Sequence, residues 1–98
     1  MIRRLELSDL AEADLAEVFD WYERCLPGLT AGLALCVEET LDRIAHYPES
    51  YPLVFRNIRR VPVRRFPYNI LYRLHADRIE ILAIFHTRRN STVWQGRG

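Results

Sequence analysis

The sequence predicts one α+β domain, with a short N-terminal strand and an αα-hairpin packed on a three- to four-stranded antiparallel sheet. Three observations support this fold class. A chain of 98 residues has room for a single modest core, so residues 1–98 are expected to form one domain. Apolar residues recur at helical spacing in the first half, whereas β-branched and aromatic residues dominate the second. The hydrophobic fraction of 49% argues against disorder.

The chain begins with a predicted strand and a capped helix. Leu5 and Leu7 alternate with charged residues, as in a short strand with one buried face. Ser8 and Asp9 are suited to cap a helix, and Asp9 with Glu12 has the spacing of a capping box. The apolar face of the helix that follows is predicted to contain Leu15, Val18, Phe19, Tyr22 and Leu26.

A second amphipathic helix follows a short break. Pro27 and Gly28 interrupt the first helical pattern, and a new apolar stripe ends before Pro48. Two helices joined by so short a connection are expected to lie antiparallel and to need another apolar surface. The stripe of the second helix contains Leu29, Leu33, Cys36, Val37, Leu41 and Ile44.

That apolar surface is a sheet predicted from residue 53 onwards. Val61 and Val63 flank Pro62, which places their strand at an edge or a bulge. Residues 68–74 and 79–86 are stronger strands joined by a tight hairpin. Residues 79–85 are apolar at almost every position, which is typical of a central strand covered on both faces.

Charge is divided unevenly between the two halves. Residues 1–50 contain eleven acidic and four basic residues, whereas residues 51–98 contain ten arginines and two acidic residues. The basic half is suited to an anionic partner such as nucleic acid or an acidic protein segment. Alternatively, the two halves attract each other across the fold. All 14 basic residues are arginine, the side chain best suited to bidentate phosphate contacts, although a codon bias would give the same composition.

The residue types predict neither a metal site nor a cofactor. Cys25 and Cys36 lack CxxC spacing and a neighbouring histidine cluster, so buried free thiols are expected. The first residues lack the apolar segment of a signal peptide, and no run approaches the length of a membrane span. We therefore expect a cytoplasmic protein without membrane contact.

Four strings of residues form a family signature when they are taken together. They are residues 13–18 with Tyr22, residues 44–48 with Tyr51-Pro52, residues 64–73 and residues 81–89, followed by Trp94 and Arg97. In this order and spacing they resemble the RelE/ParE superfamily of toxins from type II toxin–antitoxin modules, over nearly the whole chain. The resemblance implies a toxin that causes growth arrest or plasmid stabilisation and binds a cognate antitoxin in a hetero-oligomer.

The superfamily has two functional branches. RelE-like members cut mRNA on the ribosome with basic residues on the sheet and a C-terminal tyrosine. Arg65, Arg73 and Arg88 resemble the basic set, but Trp94 stands where the tyrosine is expected and lysines are absent. The Arg-Phe-Pro-Tyr and His-Thr-Arg-Arg strings instead resemble ParE-like members, which inhibit DNA gyrase, and we favour that branch. A RelE-like ribosome-dependent mRNA endoribonuclease is the alternative.

The resemblance also implies two binding surfaces. The predicted target-binding residues are Arg73, Arg88, Arg89, Trp94 and Arg97. An amphipathic, partly disordered antitoxin is expected to fold over the helical hairpin and sheet, with its acidic groups meeting the arginines. Its predicted contacts are Leu15, Phe19, Tyr22, Leu33 and Val37. For Trp94 we favour an alternative role, in which the side chain anchors the end of the chain against the sheet.

Acid–base chemistry in a nuclease would fall to side chains other than arginine, whose pKa above about 12 makes it a poor proton shuttle. His86 is the better candidate because it ends a central strand before two arginines, although a structural role is the alternative. His75 is expected to be solvated in the hairpin. Tyr68 and Tyr72 share a strand face that is either an aromatic platform or core, and we expect partial burial and core, respectively.

Arg73 lies on the opposite strand face from these tyrosines. We expect it near Arg88 or Arg89 on the neighbouring strand, in a cluster suited to phosphate or carboxylate. The alternative, equally open, is that it pairs with acidic residues such as Asp77 or Glu80.

Overall fold

The computed structural model describes residues 3–88, in which two α-helices pack on a five-stranded sheet. The elements are β1 (Arg4–Leu7), α1 (Asp9–Cys25), a 3₁₀ turn (Pro27–Leu29), α2 (Thr30–His46), β2 (Leu53–Phe55), β3 (Ile58–Pro62), β4 (Tyr68–Leu74) and β5 (Arg78–His86). The predicted α+β fold class is confirmed. None of the helices in this range is long and apolar enough to cross a membrane.

The sheet is mixed, with strand order β1-β5-β4-β3-β2. Strands β2 to β5 are antiparallel neighbours, as predicted, and β1 pairs with β5 in parallel, with Arg4 opposite Arg78. The parallel pairing was not predicted. Pro62 ends β3 beyond the part that pairs with β2, so its missing N–H breaks no bond to that strand.

Helix α1 runs along β5 from Ile81 towards His86. The Ser8 side chain caps the helix by accepting a hydrogen bond from the Ala11 N–H at 3.1 Å, while the Ser8 N–H donates to the Ile81 carbonyl at 3.0 Å. Near the other end of α1, the Tyr22 ring contacts Tyr68 at the start of β4. The predicted capped helix is therefore present, and its cap is tied directly to the sheet.

Helix α2 runs in the opposite direction. Near its start, Gly32 lies close to the ring of Phe66, just before β4. Just after its end, the Pro48 carbonyl accepts a hydrogen bond from the hydroxyl of Tyr72, near the other end of β4. The two helices are therefore antiparallel, as the short connection predicts.

The main core fills the space between the helices and the sheet. Its fully buried members include Tyr72, Leu33, Ile44, Ile70, Ile79 and Ile81. A second apolar cluster contains Ile58, Leu71, Leu82 and Ala83, flanked by Phe55 and Phe85. The register shifts where Leu71 pairs with Ala83 and Tyr72 pairs with Ile81, so Leu82 is an extra residue on β5. This bulge and the two apolar clusters explain why β5 is apolar at almost every position.

Candidate functional site

The register of β4 and β5 separates the residues that were expected to cluster. Arg73 lies opposite Glu80 at one end of the strand pair, whereas Tyr68 lies opposite His86 at the other. Arg73 is five positions after Tyr68 on the strand, which corresponds to roughly 17 Å. Arg73 therefore does not lie beside Arg88, and the predicted cluster of these two arginines is wrong.

At the first end, Arg73 is held by an acidic partner. Its Nη2 donates to Glu80 Oε1 at 3.1 Å, and Nε2 of His75 lies 2.9 Å from the same oxygen. The hydrogen bond from His75, reinforced by Arg73 and opposed by burial, lowers the pKa of Glu80. The alternative pairing of Arg73 with Glu80 is thus the one observed, and His75 is part of this network rather than simply solvated.

At the second end, a histidine lies among exposed arginines. His86 Nδ1 accepts a hydrogen bond from the Arg88 N–H at 3.1 Å, and its ring meets Tyr68 edge-on at 5.4 Å. Arg88 is exposed, and so is Arg65 in the turn that leads into Tyr68. Arg65 has a φ of 70°, in the left-handed region that non-glycine residues seldom adopt. Both arginines are therefore available to an anionic group at this end.

A cleft of about 440 Å³ lies between α1 and this end of the sheet. We call it the α1–β5 cleft. Its lining residues on α1 are Asp14, Glu17, Val18, Trp21, Tyr22 and Arg24, followed by Leu26, and on the sheet side Pro67, Tyr68, Ile84, Phe85 and His86.

Asp14 joins the two walls of the cleft. Its Oδ2 accepts a hydrogen bond from the Ile84 N–H at 3.1 Å. Beyond Ile81, β5 has no pairing with β1, so this carboxylate replaces a strand partner for one backbone group. This contact could not be predicted from the sequence, because a bond between residues 70 positions apart leaves no local pattern.

Aromatic rings form the floor and one rim of the cleft. Tyr22 is 6% exposed and packs edge-on against Phe66 at 5.8 Å and Trp21 at 5.0 Å. Tyr68 is 9% exposed, more buried than expected, while Tyr72 is fully buried as expected. Trp21 is 44% exposed at the rim. Sequence reasoning missed Trp21, although its spacing from Leu10, Asp14 and Glu17 places all four on one helical stripe.

The residues predicted to contact an antitoxin mostly face the core. Tyr22, Leu33 and Val37 are at most 6% exposed, and Leu15 and Phe19 are half-buried against the same core. The stripes of both helices cover the sheet and present little surface to a partner. From the start of α1 to the end of α2, the exposed large apolar residues are Leu10, Trp21, Leu26, Leu29 and Leu35.

Some predicted residues lie outside the described range, namely Arg89, Trp94 and Arg97. Cys36 is buried as predicted, but Cys25 is exposed, because it follows the last turn of α1 that packs on the core. Among residues 3–88, no group of three or more His, Cys, Asp or Glu side chains is arranged to hold a metal ion.

Comparison with known proteins places these features in a family. A family model described as the ParE toxin of the type II toxin-antitoxin system, parDE, matches residues 5–91. Toxin ParE2 of Mycobacterium tuberculosis is 33% identical over 91 residues, covering 92% of this chain and 87% of that toxin.

Solved structures share the fold. The chromosomal ParDE TA system from P. aeruginosa matches with a TM-score of 0.76 and 20% identity, covering 87% of this chain and 96% of that chain. A mutant of the E. coli toxin RelE in the free state matches with a TM-score of 0.62 and 13% identity, covering 97% and 93%, respectively. At these identities the two structures support the fold alone.

Proposed function

Because this chain belongs to the ParE toxin family of type II toxin–antitoxin systems, we propose that it arrests growth by binding a target such as DNA gyrase. We further propose that a cognate antitoxin neutralises it in a hetero-oligomer. Such a target would place the toxin in the cytoplasm. Neither activity requires a cofactor.

The separation of Arg73 from the other candidate nuclease residues, Arg65, His86 and Arg88, is the observation that favours binding over RNA cleavage. Cleavage needs an acid, a base and cations around one phosphate. Here Arg73 lies roughly 17 Å along the strand from the end that holds His86 and Arg88. It is also neutralised by Glu80 at 3.1 Å. Among the candidates at the other end, namely Arg65, His86 and Arg88, only His86 can transfer a proton, whereas cleavage needs both an acid and a base.

The exposed end with Arg65 and Arg88 is the proposed target-binding surface within the described residues. Arg65 precedes Tyr68, which pairs with His86, and Arg88 follows His86; both side chains are exposed, and neither has an ion pair within residues 3–88. Arginine binds carboxylate or phosphate through two parallel hydrogen bonds, which suits an acidic surface on a large partner. Arg89, Trp94 and Arg97 follow directly in sequence, and we propose that they extend this surface.

For the antitoxin, the burial of Tyr22, Leu33 and Val37 shifts the proposed contact to exposed neighbours. Leu10 and Trp21 on α1, Leu26 just after its end and Leu29 in the 3₁₀ turn are 44–53% exposed. Exposed apolar side chains of this size are a common feature of surfaces that are covered by a partner. We propose that the antitoxin covers them.

Expression in cells tests the proposal. We expect induction of the chain alone to stop growth and induce the SOS response while mRNA stays intact, and co-expression of the cognate antitoxin to restore growth. Primer extension after brief induction separates the alternative: codon-linked cuts in mRNA would indicate a RelE-like endoribonuclease. Loss of growth arrest in Arg65→Glu and Arg88→Glu, but not in Arg43→Glu on α2, is expected if the basic end binds the target.

A further inference from the structure

We infer that the free edge of strand β1 pairs with the same edge of a second copy of this chain, in an antiparallel register with Leu5 on the twofold axis. The sheets of the two copies then form one continuous sheet. The inference depends on neither the proposed target nor the antitoxin. It rests on the backbone groups at this edge and on the order of charges along β1.

Strand β1 offers unpaired backbone groups along its outer side. It lies at one edge of the sheet, and within the described part of the chain only β5 pairs with it. The Ser8 N–H donates to the Ile81 carbonyl at 3.0 Å, so this N–H faces β5. Because the direction of the backbone groups alternates along a strand, those of Glu6 also face β5. The N–H and C=O groups of Leu5 and Leu7 therefore point to the open edge, where another strand can pair with them.

The charges of β1 select one register for this pairing. The outward groups allow a twofold axis at Arg4, Leu5 or Glu6. With the axis at Arg4 or at Glu6, identical charges of the two copies lie directly opposite each other, which destabilises a strand pair. With the axis at Leu5, Arg4 of each copy lies opposite Glu6 of the other. Both cross-strand pairs are then attractive, so the register centred on Leu5 is favoured.

In this register the backbone groups are also satisfied. Leu5 exchanges both of its outward hydrogen bonds with Leu5 of the second copy, and Leu7 exchanges its bonds with Arg3 of the second copy. The side chains of Leu5 and Leu7 are half-buried against the main core, so the pairing also brings apolar surface of the two copies together on the helix side of the sheet.

The charged side chains of β1 are accessible to a second copy. Arg4 and Glu6 are 69% and 45% exposed, and Arg4 Nε lies 2.7 Å from Glu6 Oε1 within the chain. Arg78 Nε lies 3.6 Å from the other oxygen of Glu6. Exposed ion pairs of this kind contribute little to stability, so they do not prevent Glu6 from accepting hydrogen bonds from Arg4 of the second copy. Charges on an edge strand usually keep other strands away, but the alternating signs make β1 complementary to itself.

The size of the interface sets the strength of the dimer. A strand of four residues buries much less than the roughly 1,200–2,000 Å² of a stable protein interface. We therefore expect a weak dimer whose population rises with protein concentration, with a dissociation constant between about 10 µM and 1 mM.

Sedimentation velocity of the purified toxin at increasing concentration measures this dimer. We expect Arg4→Glu and Glu6→Arg each to weaken self-association about 10-fold or more, because each substitution places like charges opposite each other. An equimolar mixture of the two variants should recover the dimer, since each variant offers the charge that the other lacks. Neither variant can form the ion pair of Arg4 with Glu6 within one chain, so this recovery reports contact between copies.

Matched controls are the charge reversals Glu38→Arg and Arg43→Glu on α2, which are exposed and should change self-association less than about 2-fold. Circular dichroism confirms that each variant is folded. The amides of Leu5 and Leu7 should gain protection from hydrogen exchange as the concentration rises. The amide of Glu6 bonds to β5 and should be protected at every concentration.

Two results of these experiments would each overturn the inference, namely a toxin that stays monomeric up to about 1 mM and a mixture of the variants that associates no better than either variant alone. Protection of the Leu5 and Leu7 amides only after the antitoxin is added would assign this edge to the antitoxin and also overturn it. In each case the toxin–antitoxin assignment stays intact.

Discussion

Removal of one buried hydroxyl should reveal how firmly the segment between α2 and β2 is tied to the sheet. Tyr72 is fully buried, and its hydroxyl donates a hydrogen bond to the Pro48 carbonyl. Tyr72→Phe keeps the ring but leaves this carbonyl without its donor, which costs about 1–3 kcal/mol. Arg59 also holds the segment, by donating to the Tyr51 carbonyl at 2.6 Å, so local unfolding should be limited.

The same hydroxyl should make the stability of the fold depend on pH in the alkaline range. Burial, opposed by the nearby charge of Arg59, raises the pKa of Tyr72 from 10.0 to about 12. Because the protonated form is favoured in the folded state, its stabilisation is complete below pH 10 and is lost as the pH rises towards 12. This difference corresponds to at most about 3 kcal/mol. Tyr72→Phe should lack that loss.

Urea unfolding monitored by circular dichroism, repeated between pH 7 and pH 11.5, measures both effects. Tyr47→Phe is the control, since Tyr47 is 64% exposed and should unfold like the unmodified chain. If Tyr72→Phe changes the free energy of unfolding by less than about 0.3 kcal/mol and keeps the alkaline loss of stability, the hydrogen bond to Pro48 does not stabilise the fold.

Three further substitutions test the core, the network around Glu80 and the strained turn at Arg65 separately. Leu33→Ala should lower the free energy of unfolding by about 2–5 kcal/mol, because Leu33 is fully buried. Leu35→Ala, at a position that is 57% exposed, should change this free energy by less than about 0.5 kcal/mol. Equal effects of the two substitutions in urea unfolding would contradict the placement of Leu33 in the core. Glu80→Gln should lower the free energy of unfolding by about 1–2 kcal/mol at pH 7. This difference should shrink below pH 4, because the pKa of Glu80 is lowered in the folded state and acid then protonates the native carboxylate. A difference that does not depend on pH would contradict the network of Glu80 with Arg73 and His75. Arg65→Gly should raise the thermal midpoint by relieving a φ of 70°, while Arg64→Gly, without positive φ, should lower it; the reverse order would exclude strain.

The order of elements could be predicted because each element follows from local spacing. The capping residue Ser8, the break at Pro27 and the apolar run of β5 each have a periodic or conformational cause within a few residues. The parallel pairing of β1 with β5 could not be predicted in this way, because it joins residues about 74 positions apart, such as Arg4 and Arg78.

The site was harder to predict for the same reason. The sequence allowed Arg73 to face either another arginine or Glu80, and only the β4–β5 register decides between them. The sequence did not show that Leu33 and Val37 face the core, because a core stripe and a binding stripe have the same spacing. The exposed stripe through Leu10 and Trp21 follows the same periodicity but is interrupted by two acidic residues.

The supercoiling of relaxed plasmid by purified gyrase tests the central claim most directly. We expect the toxin to inhibit this reaction, the antitoxin to restore it, and Arg65→Glu together with Arg88→Glu to abolish inhibition while the fold is kept. If gyrase supercoils at its full rate in an excess of a toxin preparation that stops cell growth, gyrase is not the target. Codon-linked mRNA cuts by the same preparation on translating ribosomes would then contradict a binding mechanism.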